Sequence, residues 1–392
     1  MKFERGTEPG VKMKTALKAF LWLSFICLIG LIVTLFVDSS SPFVAIFSTG
    51  MFLSLAIGVR GTDTIFKSFA FSLWIFAAVT FSMFYPQYMT SWGGYDLSNL
   101  IVPLIQLIMF GMGTQLSLQD FKGVFKKPKG VAVGVICQYT IMPIVGISLA
   151  LSFGFPAEVA AGVVLIGSCP GGVASNVMAF IAKADLALSI TLTAVSTMLS
   201  PLATPYLMQL LAGQFVPIDT YGMMLSILNM IIAPIVLGLL FNHFLHGKIK
   251  WLDDIMPAVS MAGIAFIIAV ITAAGRDSLI TIGLLLILAA IIHNALGYLF
   301  GYWGCRLVGM DEKSCRTIAF EVGMQNGGMA SGLAQEMGRL ATVGLAPAIF
   351  GPWMNISGST LANYWRRKSE KEEDAEEAPD PAMKPASRFT KR

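Results

Sequence analysis

The chain contains few charged residues, which limits the kind of protein it can be. Asp, Glu, Lys and Arg make up 13% of its 392 residues, whereas hydrophobic residues make up 55%. Soluble domains carry about 25% charged residues, so a soluble fold is excluded. The composition, with a mean hydropathy of +0.72, predicts an all-α polytopic membrane protein embedded in the lipid bilayer. The net charge of +4 is small, and no nucleic-acid partner is expected.

The chain also lacks the cysteine and histidine patterns of metal centres and disulfide frameworks. None of the five cysteines has C-x-x-C spacing, and all lie in or beside apolar segments. The three histidines have no nucleophile or metal-ligand pattern around them. We therefore expect neither an enzyme nor an organic cofactor.

About twelve apolar segments are long enough to cross a hydrocarbon core about 30 Å thick, which requires about 20 residues per helix. They run over residues 16–36, 42–58, 66–86, 98–116, 130–152, 158–182, 186–212, 219–245, 255–275, 279–303, 315–338 and 341–364. Lysine and arginine concentrate in every second loop, and the intervening loops carry only Arg276 and Arg339. The positive-inside rule places the basic loops and both termini in the cytoplasm. Residues 366–392 are expected to form a disordered, charged cytoplasmic tail.

Glu321 is the only acidic residue well inside a long apolar segment. A carboxylate at the bilayer centre costs about 2.5–3.5 kcal/mol on insertion scales, so it requires a partner. Three glycines around the amides of Gln325 and Asn326 predict a broken helix, which at that depth must be buried in protein or line a cavity. A bound cation is the simplest partner for Glu321. An ion pair with Arg316 is the structural alternative.

A second segment is predicted to be broken at Pro170 and the two glycines that follow it. Proline removes a backbone donor and clashes with the preceding turn, and glycine permits non-helical backbone. The half-helix that restarts near Val173 presents free N–H groups and a positive dipole end. Ser175 and Asn176 add side-chain oxygens. A plain kink, with these two side chains bonded to a neighbouring helix, is the alternative.

Further polar side chains lie in apolar segments and have simple structural explanations when taken alone. Ser189 and Thr193 are four residues apart and share a helix face, but hydroxyls at this spacing often bond the preceding carbonyl. Gln138 and Asn355 are single amides, for which bonding between packed helices is the usual role.

The order of these features along the chain favours a transporter. Behind an N-terminal extension of two helices (1–62), ten segments divide into two halves of five, residues 63–214 and 215–365. Because each half has an odd number of segments, the second half crosses the membrane in the opposite orientation to the first. Each half has its broken helix in fourth place, which is the best sequence-level indication of a transporter site. The two breaks are expected to cross near the midplane, offering oxygens to a cation and N–H ends to an anion.

The sequence resembles the bile acid:sodium symporter family over roughly residues 63–365. Three ordered motifs carry the resemblance, namely Gln138–Pro143, Cys169–Val177 with its continuation Lys183–Thr197, and Glu321–Gly327. The chain looks like a prokaryotic-type member with two additional N-terminal helices. The resemblance implies a core domain and a panel domain built from two inverted repeats, in the bacterial inner membrane.

The resemblance also implies two sodium sites and a neighbouring substrate site. The first sodium ion would bind Ser175, Asn176, Ser189, Thr193 and Glu321. The second would bind Gln138, Glu321, Gln325 and the backbone carbonyls of Val322 and Met324. An organic anion, such as a bile-acid-like or small carboxylate compound, would bind near Gly172, Val173, Asn326, Gly327 and Asn355. Two positions depart from the family pattern, because relatives often have Thr in place of Val173 and His in place of Met354.

Three functional hypotheses remain at this point. The first is sodium-coupled uptake of an organic anion by alternating access. The second keeps the fold but lets Glu321 carry a proton, for transport or export. The third is a non-transporting membrane sensor, supported only by the extra helices and the charged tail. The hydroxyl cluster favours sodium, because a proton site requires no such cage.

Overall fold

The computed structural model describes residues 9–38, 41–62, 69–117, 119, 123–245 and 250–377. Helices account for nearly all of these residues, and the only sheet among them is a two-stranded hairpin of β1 (Ser91–Trp92) and β2 (Tyr95–Asp96). In the described part of the chain, eight helices are long and apolar enough to cross a bilayer. The prediction of an all-α polytopic membrane protein is therefore confirmed.

The first half of the chain contains ten helices within the described ranges. In chain order they are α1 (Pro9–Val37), α2 (Pro42–Gly58), α3 (Ala70–Phe84), α4 (Gln87–Thr90), α5 (Ile101–Thr114), α6 (Gly123–Lys126), α7 (Pro128–Ser152), α8 (Ala157–Ser168), α9 (Ala174–Ile181) and α10 (Leu186–Ala212). Asp185 starts α10 as its N-cap, because its carboxylate accepts a 3.1 Å hydrogen bond from the Leu188 N–H.

The second half contains seven further helices. They are α11 (Thr220–Ile227), α12 (Ala233–Leu245), α13 (Lys250–Ala274), α14 (Arg276–Leu307), α15 (Glu312–Gly323), α16 (Gly327–Glu336) and α17 (Leu345–Glu377). A π-helical turn, Leu228–Ile232, joins α11 to α12. Asp219, Asp311 and Asn326 cap α11, α15 and α16 with side-chain oxygens, so each of these helices begins where the sequence supplies an acceptor for free N–H groups.

Each predicted membrane segment overlaps one helix or a pair of helices, with some differences in extent. α14 is longer than the predicted segment 279–303, and the π-helical turn interrupts the predicted segment 219–245. The number of membrane crossings, the inverted repeat and the domain boundaries stay predictions. Residues 63–68, where the first repeat was predicted to begin, lie outside the described residues.

The prediction of a disordered tail from residue 366 is wrong for the first part of that tail. α17 continues without interruption to Glu377. The extension is held by local and distant contacts, because Arg366 and Glu370 form an i,i+4 ion pair at 3.8 Å and Ser369 bonds a side chain of α15. Residues 378–392 lie outside the described ranges.

The helices pack in two groups with a cavity between them. One group contains α3, α5, α12 and α13, and the α1–α2 hairpin packs on it through α3. The other group contains α7 to α10 and α14 to α17. The two broken helices, α8/α9 and α15/α16, lie in the second group, so its packing positions the candidate site.

Candidate functional site

Both predicted helix breaks are confirmed, and the breaks lie against each other. α8 ends at Ser168 and α9 begins at Ala174, while α15 ends at Gly323 and α16 begins at Gly327. The two unwound segments run antiparallel and form a single β-bridge between Gly171 and Gln325. They therefore cross at the point where both helices are interrupted.

The unwound segments satisfy each other's backbone groups. Gly172 donates its N–H to the Met324 carbonyl at 2.8 Å, and Asn326 donates its N–H to the Pro170 carbonyl at 2.9 Å. In a membrane-embedded segment these groups have no water to bond, so reciprocal pairing removes a cost of several kcal/mol per group. Pairing explains how non-helical backbone is stable at this depth.

Glycine is required at the crossing because the backbones approach closely. A Cβ at Gly172 would lie 2.8 Å from the Gln325 carbonyl oxygen. A Cβ at Gly171 would lie 2.7 Å from Oε2 of Glu321 and 3.2 Å from its carbonyl oxygen. Any larger residue at either position would separate the two segments or displace the carboxylate.

The carboxylate of Glu321 lies at this crossing and is 3% exposed. It accepts hydrogen bonds from the hydroxyls of Ser175 at 2.5 Å, Ser189 at 2.6 Å and Thr193 at 2.9 Å. Arg316 forms its ion pair with Glu312, one turn before it on α15, at 2.9 Å. The structural alternative for Glu321, a pairing with Arg316, is therefore replaced by a cage of neutral oxygens.

The cage contains more oxygen atoms than its three hydroxyl protons can hydrogen-bond at once. Thr193 Oγ1 lies within 3.2 Å of both carboxylate oxygens, of Asn176 Oδ1 and of the Ser189 carbonyl. Ser189 Oγ is 2.8 Å from Asn176 Oδ1 as well as 2.6 Å from Glu321. A hydroxyl carries one proton, so these approaches also bring lone pairs together. Such an arrangement of oxygens fits a small cation, and it gathers every residue predicted for the first sodium site.

The residues predicted for the second sodium site lie on the other side of the crossing. The Gln138 amide nitrogen donates to the Cys169 carbonyl at 2.7 Å and to Gln325 Oε1 at 2.6 Å. Among the described residues, Gln138 Oε1 has no donor although it is fully enclosed. A cavity of about 10 Å³ lies beside it and also contacts Glu321. This volume is close to that of one water molecule, so a small ion fits there.

Two carbonyls predicted to bind this second ion are hydrogen-bonded to protein groups. The Val322 carbonyl accepts from the Gln325 amide at 2.5 Å, and the Met324 carbonyl accepts from Gly172. A carbonyl oxygen has two lone pairs, so each retains one for a cation. The donor set of Gln138, Glu321 and these carbonyls is therefore compatible with sodium.

Sequence reasoning missed two side chains that hold the unwound segment 324–326. Met354 Sδ accepts the Gln325 N–H at 3.1 Å. Asn294 donates to the Gly323 carbonyl at 2.8 Å and accepts from Ser357 Oγ at 2.5 Å. Asn294 is a single amide in an apolar segment, as Gln138 is, and that signal could have identified it. A thioether acceptor leaves no such signal in the sequence.

A cavity of about 340 Å³ lies between the two helix groups, next to the crossing. All five positions predicted to contact substrate line it, namely Gly172, Val173, Asn326, Gly327 and Asn355. Among the described residues that line the cavity, none is charged, and most are apolar. Gln115, Ser260 and Ser331 add polar groups that sequence reasoning did not single out.

The amides of Asn326 and Asn355 are each partly engaged by their own helices. Asn326 Oδ1 accepts the Met329 N–H at 3.0 Å as the N-cap of α16. The Asn355 amide nitrogen donates to the Gly351 carbonyl at 3.0 Å. Asn326 therefore fixes the start of a half-helix that borders the cavity.

The end of α16 is hydrogen-bonded to residues outside its own helix group. Gln335 donates to Ser98 Oγ at 3.3 Å, and Ser226 donates to Glu336 at 3.2 Å. The cavity beside the crossing extends to Gln115 at the end of α5 and to Ser260 in α13.

Comparison with known proteins agrees with this geometry. A sequence model of the Sodium Bile acid symporter family matches residues 102–282. The "Uncharacterized sodium-dependent transporter YocS" of Bacillus subtilis is 40% identical over 309 residues, which are 79% of this chain and 94% of that protein. The chain belongs to the sodium bile acid symporter family.

Two further relatives are plant proteins. The "Probable sodium/metabolite cotransporter BASS1, chloroplastic" of Arabidopsis thaliana is 32% identical over 306 residues, covering 78% of this chain and 75% of that protein. A BASS3 cotransporter of Oryza sativa is 36% identical over 267 residues, covering 67% of this chain and 63% of that protein. The family consists of transporters, so this multi-pass membrane protein is a transporter and not an enzyme.

Proposed function

We propose that this symporter-family protein couples the entry of two sodium ions to the uptake of a small organic anion. The observation that carries the proposal is Glu321, a carboxylate buried among three hydroxyls where two unwound helices cross. A carboxylate at this depth requires a compensating charge. The names of the relatives, sodium-dependent transporter and sodium/metabolite cotransporter, support sodium as that charge.

The first sodium ion binds inside the hydroxyl cage. Its ligands are Ser175, Asn176, Ser189, Thr193 and Glu321. When sodium binds, the hydroxyl protons rotate away from the carboxylate. The lone pairs of the hydroxyl oxygens, which otherwise face one another, then coordinate the ion. The ion also connects α9, α10 and α15, because each of these helices supplies at least one ligand.

The second sodium ion binds between Gln138 and the unwound segment after α15. Its ligands are Gln138, Glu321, Gln325 and the carbonyls of Val322 and Met324. The unpartnered Gln138 Oε1 gains a partner when the ion binds. Glu321 is shared by both ions, so the occupancy of one site favours the geometry that the other requires, and this linkage is reciprocal.

The organic anion binds in the 340 Å³ cavity beside the crossing. Since none of the described lining residues is charged, the negative charge of the substrate is balanced by sodium and by half-helix N-termini. Gly172 to Ala174 and Asn326 to Gly328 place the starts of α9 and α16 at the cavity wall, where backbone N–H groups and the positive dipole ends favour an anion. The apolar remainder of the wall fits an apolar substrate body.

Transport follows from movement of one helix group against the other. We assign the hydrogen bonds at the end of α16 to the gate on one side, and alternating access requires that they break as the opposite side closes. Two sodium ions with a monoanion carry one net positive charge, so a membrane potential contributes about 2.3 kcal/mol per 100 mV to uptake.

Proton coupling through Glu321 is the second candidate. A buried carboxylate alone would serve a proton as well as a sodium ion. The crowding of Asn176 Oδ1, three hydroxyls and the carboxylate favours sodium, because a proton has no use for five or six surrounding oxygen ligands.

Reconstituted protein in proteoliposomes separates these candidates. A panel of organic anions is first screened for thermal stabilisation with and without sodium, and anions that stabilise only with sodium become transport substrates. We expect an inward sodium gradient, but not a proton gradient, to drive their uptake. Glu321→Gln should abolish this uptake, and Asp277→Asn, whose side chain is 95% exposed, is the control. Full sodium-driven uptake by the Gln variant would contradict the proposal.

A further inference from the structure

Arg316 is a buried cation on the helix that carries Glu321. Its side chain is 2% exposed, and it lies five residues before Glu321 on α15. A buried guanidinium requires partners for its charge and its donors. Glu312 accepts from Arg316 Nε at 2.9 Å, and Ser369 Oγ accepts from Nη1 at 2.6 Å. Ser369 belongs to the C-terminal extension of α17, which the transport site does not use.

Trp365, the residue directly before this extension, is a second link between α17 and α15. The Arg316 guanidinium lies 5.8 Å above its ring, a distance at which the cation and the ring attract each other. The Trp365 ring also meets Phe320 edge-on at 5.0 Å and stacks on Tyr302 at 6.2 Å. Phe320 is fully buried and directly precedes Glu321. This part of α17 therefore contacts α15 at Arg316 and at Phe320, the residue before the carboxylate.

The start of α15 is also held by its neighbour α14. Tyr302 donates to Glu312 Oε2 at 2.6 Å. Burial alone would raise the pKa of Glu312, but the hydrogen bonds from Tyr302 and Arg316 outweigh it and hold that pKa below its ordinary value. Glu312 stays ionised, so the Glu312–Arg316 pair stays intact and keeps Arg316 directed at the extension of α17.

We propose that Trp365 and Ser369 form a C-terminal clamp that positions the sodium site by fixing α15 along its axis and in rotation. The inference rests on the proposed function of Glu321 as a sodium ligand. α15 is a continuous helix from Glu312 to Gly323, and the rise of 1.5 Å per residue places Glu321 only about 7.5 Å beyond Arg316. A displacement at Arg316 is therefore transmitted to the carboxylate. Ion ligands must be held to within about 0.5 Å.

The clamp also connects the sodium site to the substrate cavity through one helix. Met354 and Asn355 line the cavity and lie on α17, as Trp365 and Ser369 do. Met354 further accepts the Gln325 N–H beside the crossing. α17 is thus attached to the ion-binding segments at two points along its length, at Met354 and at Trp365 with Ser369. Trp365 and Ser369 are therefore positioning residues and not ligands.

The test is a sodium titration of the thermal stability of the full-length protein in detergent. Sodium replaces potassium at constant ionic strength, and the rise in Tm with sodium gives an apparent dissociation constant. Trp365→Ala and Ser369→Ala should raise this constant about 5- to 10-fold, as expected for supporting contacts one step from the ligands. Trp365→Phe and Ser369→Thr keep the ring and the hydroxyl, and they should return the constant close to the wild-type value. Arg367→Ala, an exposed neighbour on the same segment, is the control.

The outcomes separate the clamp from the proposed function. If the alanine variants melt earlier but bind sodium with unchanged affinity, Trp365 and Ser369 are merely structural and the inference is overturned. If the wild-type protein shows no sodium-dependent stabilisation, the sodium site itself is refuted. Ser369→Ala removes a single oxygen from a partly exposed position, so it supplies a folded variant even if Trp365→Ala does not fold.

Discussion

Replacing Gly172 with alanine tests whether the crossing of the unwound segments determines sodium affinity. The added Cβ would lie 2.8 Å from the Gln325 carbonyl oxygen, so the segments must separate by about 0.6 Å to reach an ordinary 3.4 Å contact. Overpacking of this kind costs about 1–3 kcal/mol. Separation also weakens the Gly172–Met324 and Asn326–Pro170 hydrogen bonds, each worth about 0.5–1.5 kcal/mol.

The ion-bound state carries most of this cost, because the proposed sodium ligands that follow the first segment, in α9, must stay in register with those on the second segment. If about 2 kcal/mol is lost on ion binding, the apparent sodium dissociation constant rises about 30-fold. Gly327→Ala is the matched control. A Cβ there meets nothing nearer than the Pro347 carbonyl oxygen at 3.6 Å, so its sodium affinity should be close to that of the wild type.

The assay is the sodium titration of Tm, in which sodium replaces potassium at constant ionic strength. Unchanged sodium affinity in Gly172→Ala would refute the reasoning, since the segments would then tolerate separation. Equal losses in both variants would also refute it, because the effect would depend on removing glycine and not on the 2.8 Å contact.

Three further predictions concern the cage, the second ion and the closed side. Thr193→Val keeps the side-chain shape but removes a hydroxyl 2.9 Å from Glu321, and a loss of about 1.4 kcal/mol raises the sodium dissociation constant about tenfold; unchanged affinity would remove Thr193 from the site. Gln138→Leu should lower the coupling ratio from two sodium ions to one, measured from reversal potentials in proteoliposomes, and an unchanged ratio would exclude a second site at Gln138. Gln335→Ala breaks the bond to Ser98 and should speed hydrogen–deuterium exchange around residues 97–100; protection equal to the wild type would show that this contact does not hold the side closed.

The helix breaks could be predicted from the sequence because their causes are local. Pro170 removes a donor at its own position, and the adjacent glycines relax the backbone there. The buried carboxylate was equally visible, since Glu321 is the only acidic residue well inside a long apolar segment. These signals depend on residues a few positions apart, and sequence patterns report such distances well.

The pairing of the two breaks depends on residues about 150 positions apart. The only sequence indication of this pairing was that each half of the chain has its broken helix in fourth place. The Met354–Gln325 hydrogen bond left no signal, because methionine in an apolar helix is indistinguishable from packing. The extension of α17 was wrongly predicted to be disordered, since its composition is charged. Contacts of Trp365 and Ser369 with Arg316, about 50 residues earlier, supply the stability that composition does not report.

Under the proposed sodium coupling, the hydroxyls around Glu321 also explain how an emptied carrier can reset. After sodium and substrate leave, the carboxylate must travel back without either cation. Ser175, Ser189 and Thr193 can then donate hydrogen bonds to it, as their distances of 2.5 to 3.0 Å allow. When sodium returns, the same hydroxyls rotate and present lone pairs, because a hydroxyl is both donor and acceptor. Carbonyl ligands could only accept and ammonium groups could only donate, so a ring of hydroxyls stabilises the carboxylate on both legs of the cycle.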